Sequence, residues 1–424
     1  MSDAKRRRRD FIQNIAIVVL SVLAVLLFIQ SQRLTRNPAE SGLSGSLSSS
    51  DSPISTLPLE QNAPLTLPLR TAVTGSYGRY GSVATTTADG DFEPLRSLLE
   101  QALNSAATPT LCNPQAFQDA LQAPSVYCDF LSPLPLPILA DALWAVSGHT
   151  LQARCLLLSG QDGEVTLYLW DGASFCYHCE TTLSMEELET TVNRYESGNT
   201  HFAFDLPEAG SIAPYSLLPD TIPELPALDA SVSLADTNRL LTLLDFNPNT
   251  NYRYPESDGS ETVVEGERSL RIRSNGTVIY DSGGEPVLSI EAQSERPTPL
   301  EAASGAAALL NELLSGAAGE ASLYLTDIRQ SGSSCTLTFD YQTGGVPIRF
   351  SDGESAAEVT LDGTAVSGMT LRFRQYAPSL SPSLLLPLKQ TLAIAAQQEG
   401  KELSIVYADN GSDTAGAIWL SEEI

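Results

Sequence analysis

Cysteines and histidines are the residues of this chain whose chemistry would be easiest to recognise, because they ligate metals and act as nucleophiles and bases. Two of the six cysteines frame the sequence Cys176-Tyr-His-Cys179, which has the spacing of half a zinc site. A structural zinc site needs four ligands, and no second pair with matching spacing occurs in the sequence. The sequence therefore predicts no metal and no other cofactor.

The residues around Cys176 and Cys179 indicate a β-strand. Residues three apart on a strand lie about 10 Å apart and point to opposite faces, whereas a disulfide needs Cα atoms within about 7 Å. These two cysteines are therefore not expected to pair with each other. The pattern favours buried apolar thiols and leaves open a disulfide to Cys112, Cys128 or Cys155, so the disulfide state of the six cysteines is undetermined.

Catalysis through a nucleophile would require a base and a group that orients the base. The histidines are His149, His178 and His201, and none lies in a GxSxG or HExxH context. We expect each to be a structural residue of a strand or loop. The glycine pairs at 283–284 and 344–345 lie in strand-like surroundings without a following helix, which indicates turns rather than phosphate-binding loops. We expect no catalytic residues, and hence a protein that is not an enzyme.

Several helix starts are recognisable from their capping residues. Asn113 followed by Pro114 is typical of an N-cap and a first helical position. The residues from Ser184 to Glu187 and from Thr298 to Glu301 have the pattern of a capping box. A last helix is predicted over about 382–398, where Pro387 would strain it.

Turn signals between strand-like runs predict antiparallel hairpins. Asp171-Gly172 is expected to form a two-residue turn between strands at 164–170 and 173–180. Asn275-Gly276 and Asn410-Gly411 have the same character. Helices that alternate with such hairpins over short connections predict the α+β class, with helices covering one face of antiparallel sheets.

Domain boundaries follow from the order of these elements. We expect a first α+β domain over 84–219, a second α+β module over 230–293 and a third over 294–424. The second and third each consist of a helix followed by an antiparallel meander, so they are interpreted as repeated modules.

The N-terminal part of the chain has the pattern of a membrane anchor. Residues 1–10 form a basic tail with five consecutive cations from Lys5 to Arg9. Residues 11–29 carry no charge and, at about 1.5 Å per residue, match the thickness of a bilayer. The cations place the tail in the cytoplasm and everything after the helix outside. The length of the apolar run and the polar sequence after it favour a retained single-pass anchor over a cleaved signal peptide.

The anchor is followed at residues 30–83 by a Ser/Pro-rich segment, which is expected to be a flexible stalk. The charge of the chain is distributed unevenly along the sequence. Residues 1–36 carry a net charge of +5 and the remaining residues carry −32, which together give the overall net charge of −27. An outer part this acidic is repelled by nucleic acid, by anionic lipid and by anionic wall polymers. We therefore expect no nucleic-acid partner.

One face of the predicted membrane helix combines small residues with a polar one. At 100° per residue these positions fall within an arc of about 80°, and small residues let helices approach closely in lipid. This face is a candidate partner-binding site, although the same placement is compatible with an inert anchor. Its residues are Gln13, Ala16, Leu20, Ala24 and Leu27.

The order of these features resembles the YycH/YycI family of Gram-positive bacteria. Besides the basic tail and single anchor, the resemblance rests on the segments SVYCDFLSPLPLPILADALW, FCYHCETT, HFAFDLP, VVEGERSLRIRSNGTVIY and GGVPIRFSDGESAAEVTLDGTAVSGMTLRFRQY. It implies a membrane-anchored accessory protein of a cell-wall-sensing two-component system of the WalK/WalR type. The implied partners are the sensor histidine kinase and a companion protein of the YycH/YycI type.

We therefore expect an extracytoplasmic regulator that binds and modulates such a kinase. A passive cell-surface binding module for peptides or wall fragments is the alternative. Neither the sign of the regulation nor the contacting surface follows from the sequence.

Overall fold

Antiparallel sheet makes up most of the fold, and the α+β class predicted from the sequence is confirmed. The computed structural model describes residues 64–76, 78–82, 92–195, 198, 200–397 and 400–422, all within the unit Pro53–Ile424. Two large sheets run through these residues, and helices pack against them.

The first sheet has seven strands among the described residues, every pair of them antiparallel. In chain order its strands are β1 Arg70–Gly75, β2 Gly78–Ser82, β3 Thr110–Leu111, β4 Ser125–Pro135, β5 Gln152–Gln161, β6 Glu164–Trp170 and β7 Cys176–Glu180. Their order in space is β2-β1-β4-β5-β6-β7-β3. A small ladder follows, formed by β8 Thr200–Phe202 and β9 Leu217–Pro219.

The second sheet has thirteen strands in the described part of the chain. They are β10 Pro226–Val232, β11 Arg253–Pro255, β12 Glu261–Glu265, β13 Arg268–Ile272, β14 Thr277–Asp281, β15 Ser322–Ser331, β16 Ser334–Thr343, β17 Val346–Phe350, β18 Ala357–Asp362, β19 Ala365–Arg372, β20 Arg374–Pro382, β21 Glu402–Asp409 and β22 Thr414–Glu422. The spatial order is β11-β12-β13-β14-β19-β18-β16-β17-β21-β22-β10-β20, and β15 pairs with β16. The pairing of β17 with β21 is parallel.

Seven α-helices lie in the described residues: α1 Glu93–Ser105, α2 Pro114–Gln122, α3 Leu136–Ala142, α4 Met185–Val192, α5 Thr237–Leu243, α6 Pro299–Leu314 and α7 Leu388–Ala395. The predicted caps are confirmed. The side chain of Asn113 accepts a hydrogen bond from the N–H of Gln115 at the start of α2. Capping boxes open α4 and α6, at Ser184 and Thr298.

The last helix differs from its prediction. Strand β20 extends to Pro382, and α7 begins only at Leu388, with Pro387 in the N-cap position. A proline at the start of a helix removes no intrahelical hydrogen bond, so the expected strain in the helix interior does not arise.

The core lies on both faces of the first sheet, which explains why β5 is apolar without alternation. Leu156 and Leu158 face a core shared with the second sheet, which contributes Leu325 and Leu337. Leu157 faces a second core beneath α2. A strand buried on both faces has no reason to alternate polar with apolar residues.

The expectations for the N-terminal region fall outside the described residues. These are the cytoplasmic tail, the membrane helix at 11–29 and most of the stalk at 30–83. The end of the predicted stalk is an exception, because β1 and β2 lie within it and belong to the first sheet, so the prediction of a flexible segment up to residue 83 is wrong there. Within the described residues, the helices are too short or too polar to span a membrane.

Candidate functional site

A cavity of about 360 Å³ opens on the face of the first sheet that α2 covers. Its walls come from α2, from the ends of β6 and β7, and from the segment between β8 and β9. Glu402 of the second sheet contributes to its floor. The cavity therefore brings together residues from both large sheets.

Three aromatic rings form one wall of the cavity. Phe117 comes from α2, Trp170 ends β6, and Tyr215 precedes β9. The ring centroids of Trp170 and Tyr215 lie 4.8 Å apart at an interplanar angle of 77°, and those of Phe117 and Tyr215 lie 5.4 Å apart. Burial raises the pKa of Tyr215, so its hydroxyl stays neutral. This wall offers flat apolar surface and no charge.

A cluster of four charged side chains lies at and beneath the floor, and two of them, Arg154 and Glu402, line the cavity. Arg154 on β5 donates from Nε and Nη2 to the two carboxylate oxygens of Asp129 on β4, at 2.9 and 2.8 Å. The same Nη2 lies 2.8 Å from a carboxylate oxygen of Glu402. Arg70 on β1 donates to Glu402 and lies 3.5 Å from Asp129. Two cations thus face two anions, and the cluster ties the first sheet to β21 of the second.

The pKa shifts of Asp129 and Arg154 favour their charged forms. Burial pushes the pKa of Asp129 upward, but the attraction and hydrogen bonds of Arg154, helped by Arg70, hold it below its usual value. Burial likewise disfavours the charged form of Arg154, yet Asp129 and Glu402 raise its pKa well above the usual range. Asp129 and Arg154 are therefore charged, and the cluster pairs two arginines with two carboxylates, so neither guanidinium lacks an anionic partner.

The loop at 171–175 forms the rim of the cavity and differs from the predicted two-residue turn. Strand β7 begins only at Cys176, so five residues connect it to β6. The Asp171 carboxylate accepts hydrogen bonds from the N–H groups of Ala173, Ser174 and Phe175 at 2.9 to 3.0 Å. These side chain to backbone bonds stabilise a wider loop than the dipeptide alone indicates.

Gly172 in this loop is required by its surroundings. Its φ of +92° lies in the region that favours glycine, and a Cβ there would lie 2.8 Å from Cδ of Arg154. The absent side chain therefore leaves room for the guanidinium stem beneath the loop.

A disulfide joins Cys112 to Cys176 at the edge of the cavity, with Cα atoms 5.4 Å apart. Cys179 lies on the same strand and does not pair with Cys176, as predicted. The favoured interpretation of buried thiols is correct for Cys179 but wrong for Cys176. The reason is tertiary: β3 pairs with β7 and places Cys112 opposite the end of that strand.

The other cysteines among the described residues are buried thiols: Cys128, Cys155, Cys179 and Cys335. Cys155 lies below the cavity floor, with its Sγ 3.2 Å from the hydroxyl oxygen of Tyr127. Burial, reinforced by the charge of Asp129, raises the pKa of Cys155 well above its usual value. The thiol therefore stays protonated and is a poor nucleophile.

The histidines lie outside the lining of the cavity. His178 contacts the hydroxyl of Thr110 at 3.0 Å, and His201 contacts Asp220 at 3.1 Å. In the described part of the chain, no group of three or more His, Cys, Asp or Glu residues is arranged to hold a metal.

The candidate residues on the membrane helix, Gln13, Ala16, Leu20, Ala24 and Leu27, lie outside the described residues. The cavity residues were missed by the sequence interpretation. Glu402 and Arg154 are 248 positions apart, and no local pattern connects them. Two local signals fell on the cavity: Asp171-Gly172, which indicated a turn, and Cys176, which was interpreted as a buried thiol.

Comparison with protein-family models, with curated proteins and with solved structures gives no match for this chain.

Proposed function

We propose that the chain is a membrane-anchored, non-catalytic regulator that recognises its partner through the cavity on the first sheet. The observation that carries the proposal is an apolar cavity with a neutralised floor. A pocket of about 300–1,000 Å³ lined by aromatic side chains is typical of a binding site. The cavity holds no histidine, and the nearby thiol of Cys155 is kept protonated, which supports binding rather than catalysis.

The chemistry of the cavity favours an apolar side chain of a polypeptide as its occupant. Two exposed apolar residues, Leu111 at 65% and Phe175 at 55%, directly precede the disulfide cysteines beside the cavity. Neither side chain lines the cavity, so a ligand confined to the cavity leaves both in water, and a peptide covers them only where it continues past the rim. The overall charge of −27 disfavours anionic partners such as nucleic acid and anionic wall polymers.

The proposed partner is a sensor histidine kinase in the same membrane. The predicted anchor at 11–29 and the resemblance to the YycH/YycI family support a sensor histidine kinase of the WalK type as the regulated protein. A disulfide is typical of oxidising compartments, which supports an extracytoplasmic location. For regulation, the chain must bind one signalling state of the kinase more tightly than the other.

A passive surface module for peptides is the second candidate, and the cavity itself favours it, because peptide capture needs no contact within the membrane.

Replacing residues 11–29 by an unrelated membrane helix separates the two functions. The regulator is expected to lose co-purification with the kinase and its effect on phosphorylation of the response regulator, while keeping peptide binding. The control is the same replacement with Gln13, Ala16, Leu20, Ala24 and Leu27 restored, which should regain both. An exchanged helix without any effect on the kinase would favour the passive module.

Ser174→Trp tests the cavity itself. Ser174 is an exposed residue of the rim, so a larger side chain can occupy the mouth without displacing the core. Binding of a capped Gly-Phe-Gly or Gly-Leu-Gly peptide, followed by saturation-transfer NMR, should weaken by about tenfold or more.

Ser174→Ala is the matched control and should bind these peptides as the unchanged protein does. A capped Gly-Glu-Gly peptide and an N-acetylglucosamine disaccharide provide the comparison ligands. Stronger saturation transfer to either of these, or equal binding by Ser174→Trp, would contradict the proposed occupant.

A further inference from the structure

Hydrogen-bond donors are in surplus inside the cavity on the first sheet. Arg154 is only 6% exposed and lines the cavity. Its Nε and Nη2 donate to Asp129 and Glu402, but its Nη1 has no acceptor among the residues that the structure describes. An unpaired nitrogen that is fully enclosed would be a buried orphan, and Nη1 is not one. Its N–H groups therefore reach the open space of the cavity.

Ser216 provides a second donor of this kind. It is 1% exposed and also lines the cavity. Its Oγ accepts a hydrogen bond from the N–H of Leu403 at 3.2 Å, whereas its own hydroxyl hydrogen meets no acceptor in the described part of the chain. A buried donor that lacks an acceptor is costly, so both donors need an acceptor once a ligand excludes water from the cavity.

The acceptors around these two donors already have donors of their own. Both carboxylate oxygens of Glu402 accept from Nη2 of Arg154, and Arg70 donates to the same carboxylate. The carbonyl of Pro214, another residue of the cavity lining, accepts the N–H of Phe204 at 3.1 Å. The acceptor for Nη1 of Arg154 and for the hydroxyl of Ser216 therefore has to come from the occupant.

The charges of the cluster restrict this acceptor to a neutral group. Arg154 and Arg70 are already balanced by Asp129 and Glu402. Nη1 and Nη2 belong to the same guanidinium, so a ligand carboxylate at Nη1 would lie near the carboxylate of Glu402 in a poorly solvated site, where like charges repel strongly. A carbonyl oxygen accepts a hydrogen bond without adding charge.

We propose that the cavity recognises an internal peptide unit, with an apolar side chain against the aromatic wall and backbone carbonyls that accept from Arg154 and Ser216. The inference rests on the proposed function and adds the polar half of the ligand, because it disfavours a chain end with a free carboxylate. Apolar walls with a few convergent polar groups are typical of sites that fix the orientation of a ligand. Arg154 is thus a specificity-determining residue, besides its part in joining the two sheets.

The test uses the full chain in lipid discs and a capped Gly-Phe-Gly peptide in which one carbonyl oxygen at a time is replaced by sulfur. Sulfur is the weaker acceptor, so its introduction at a carbonyl that Arg154 contacts should raise the dissociation constant about tenfold. At a carbonyl that contacts neither donor, the change should stay below about twofold. N-acetyl-Gly-Phe with a free carboxylate should bind more weakly than the same compound as an amide. Saturation-transfer NMR titrations give the dissociation constants.

Arg154→Lys keeps a cation beside Asp129 and Glu402 but removes Nη1. It should bind the parent peptide about tenfold more weakly and lose the effect of sulfur at the contacted carbonyl. Arg374→Lys is the matched control, because Arg374 is also 6% exposed and donates to both oxygens of Asp409 at 2.8 and 2.9 Å, outside the lining of the cavity. It should keep both the affinity and the sulfur effect. The sulfur series on the unchanged protein decides the matter if Arg154→Lys does not fold.

The outcomes separate this inference from the proposed function. Binding of the parent peptide that no sulfur replacement weakens overturns the carbonyl contact and leaves the apolar site standing. An undiminished sulfur effect in Arg154→Lys, or tighter binding of the free carboxylate than of the amide, also overturns the inference alone. A parent peptide that does not bind overturns both.

Discussion

Asp129→Asn is expected to lower the free energy of unfolding by about 3–5 kcal/mol. The asparagine keeps the shape of the side chain but leaves Arg70 and Arg154 facing the single carboxylate of Glu402. An uncompensated cation in a buried site is costly because the interior screens charge poorly. Urea unfolding of the unchanged protein and the variant, followed by circular dichroism at pH 7, measures the difference.

The matched control is Asp327→Asn, whose partner Arg329 is 71% exposed. An exposed pair contributes little, so this variant should unfold within about 0.5 kcal/mol of the unchanged protein. Equal stability of both variants would show that the floor cluster does not connect the sheets energetically.

The stabilities of the unchanged protein and of Asp129→Asn should also respond differently to acid. The pKa of Asp129 is lowered in the folded state, so the full contribution of its charge to the free energy of unfolding is present above the unfolded pKa of about 3.9. It is lost as the pH falls below that value toward the folded pKa. The difference in the free energy of unfolding between the unchanged protein and Asp129→Asn should therefore be constant near neutral pH and decrease below about pH 4. A gap that widens on acidification would contradict the sign of this shift.

Replacement of both disulfide cysteines, Cys112→Ser with Cys176→Ser, is expected to lower the free energy of unfolding by about 3–4 kcal/mol. The bond closes a loop with a sequence separation of 64, and opening it restores conformational freedom to the unfolded chain. Urea unfolding under oxidising conditions measures the loss.

Dithiothreitol supplies the control for the disulfide. It should reduce the stability of the unchanged protein by a similar amount and leave the double variant unaffected, because the remaining described thiols are unpaired. A protein whose unfolding is insensitive to dithiothreitol would show that the bond does not form in solution.

The local features of this fold were predictable because they depend on residues close in sequence. Caps at Asn113, Ser184 and Thr298 formed as expected, since each satisfies backbone N–H groups one turn away. The hairpin at Asn275-Gly276 also formed, and Gly276 adopts a φ of +86°. Its loop has three residues, 274–276, where two were predicted, because Arg273 pairs with Thr277. The α+β class followed from the alternation of these elements.

The predictions at Asp171-Gly172 and at Cys176 failed because of specific side-chain contacts that the residue pattern did not indicate. Asp171-Gly172 became part of a five-residue loop because the Asp171 carboxylate binds three backbone N–H groups over the stem of Arg154. Cys176 formed a disulfide because the two-residue strand β3 brings Cys112 to it. Short strands of this kind carry no periodic signal.

The sequence by itself determined the acidic character of the chain, the pattern of a membrane anchor at residues 11–29, the class of the fold and three helix starts. Each of these depends on composition or on residues within about one helical turn of each other. Tertiary structure alone decided the cavity, its ionised floor and the disulfide beside it. These depend on partners such as Arg154 and Glu402, which are 248 positions apart and meet only when the two sheets pack together.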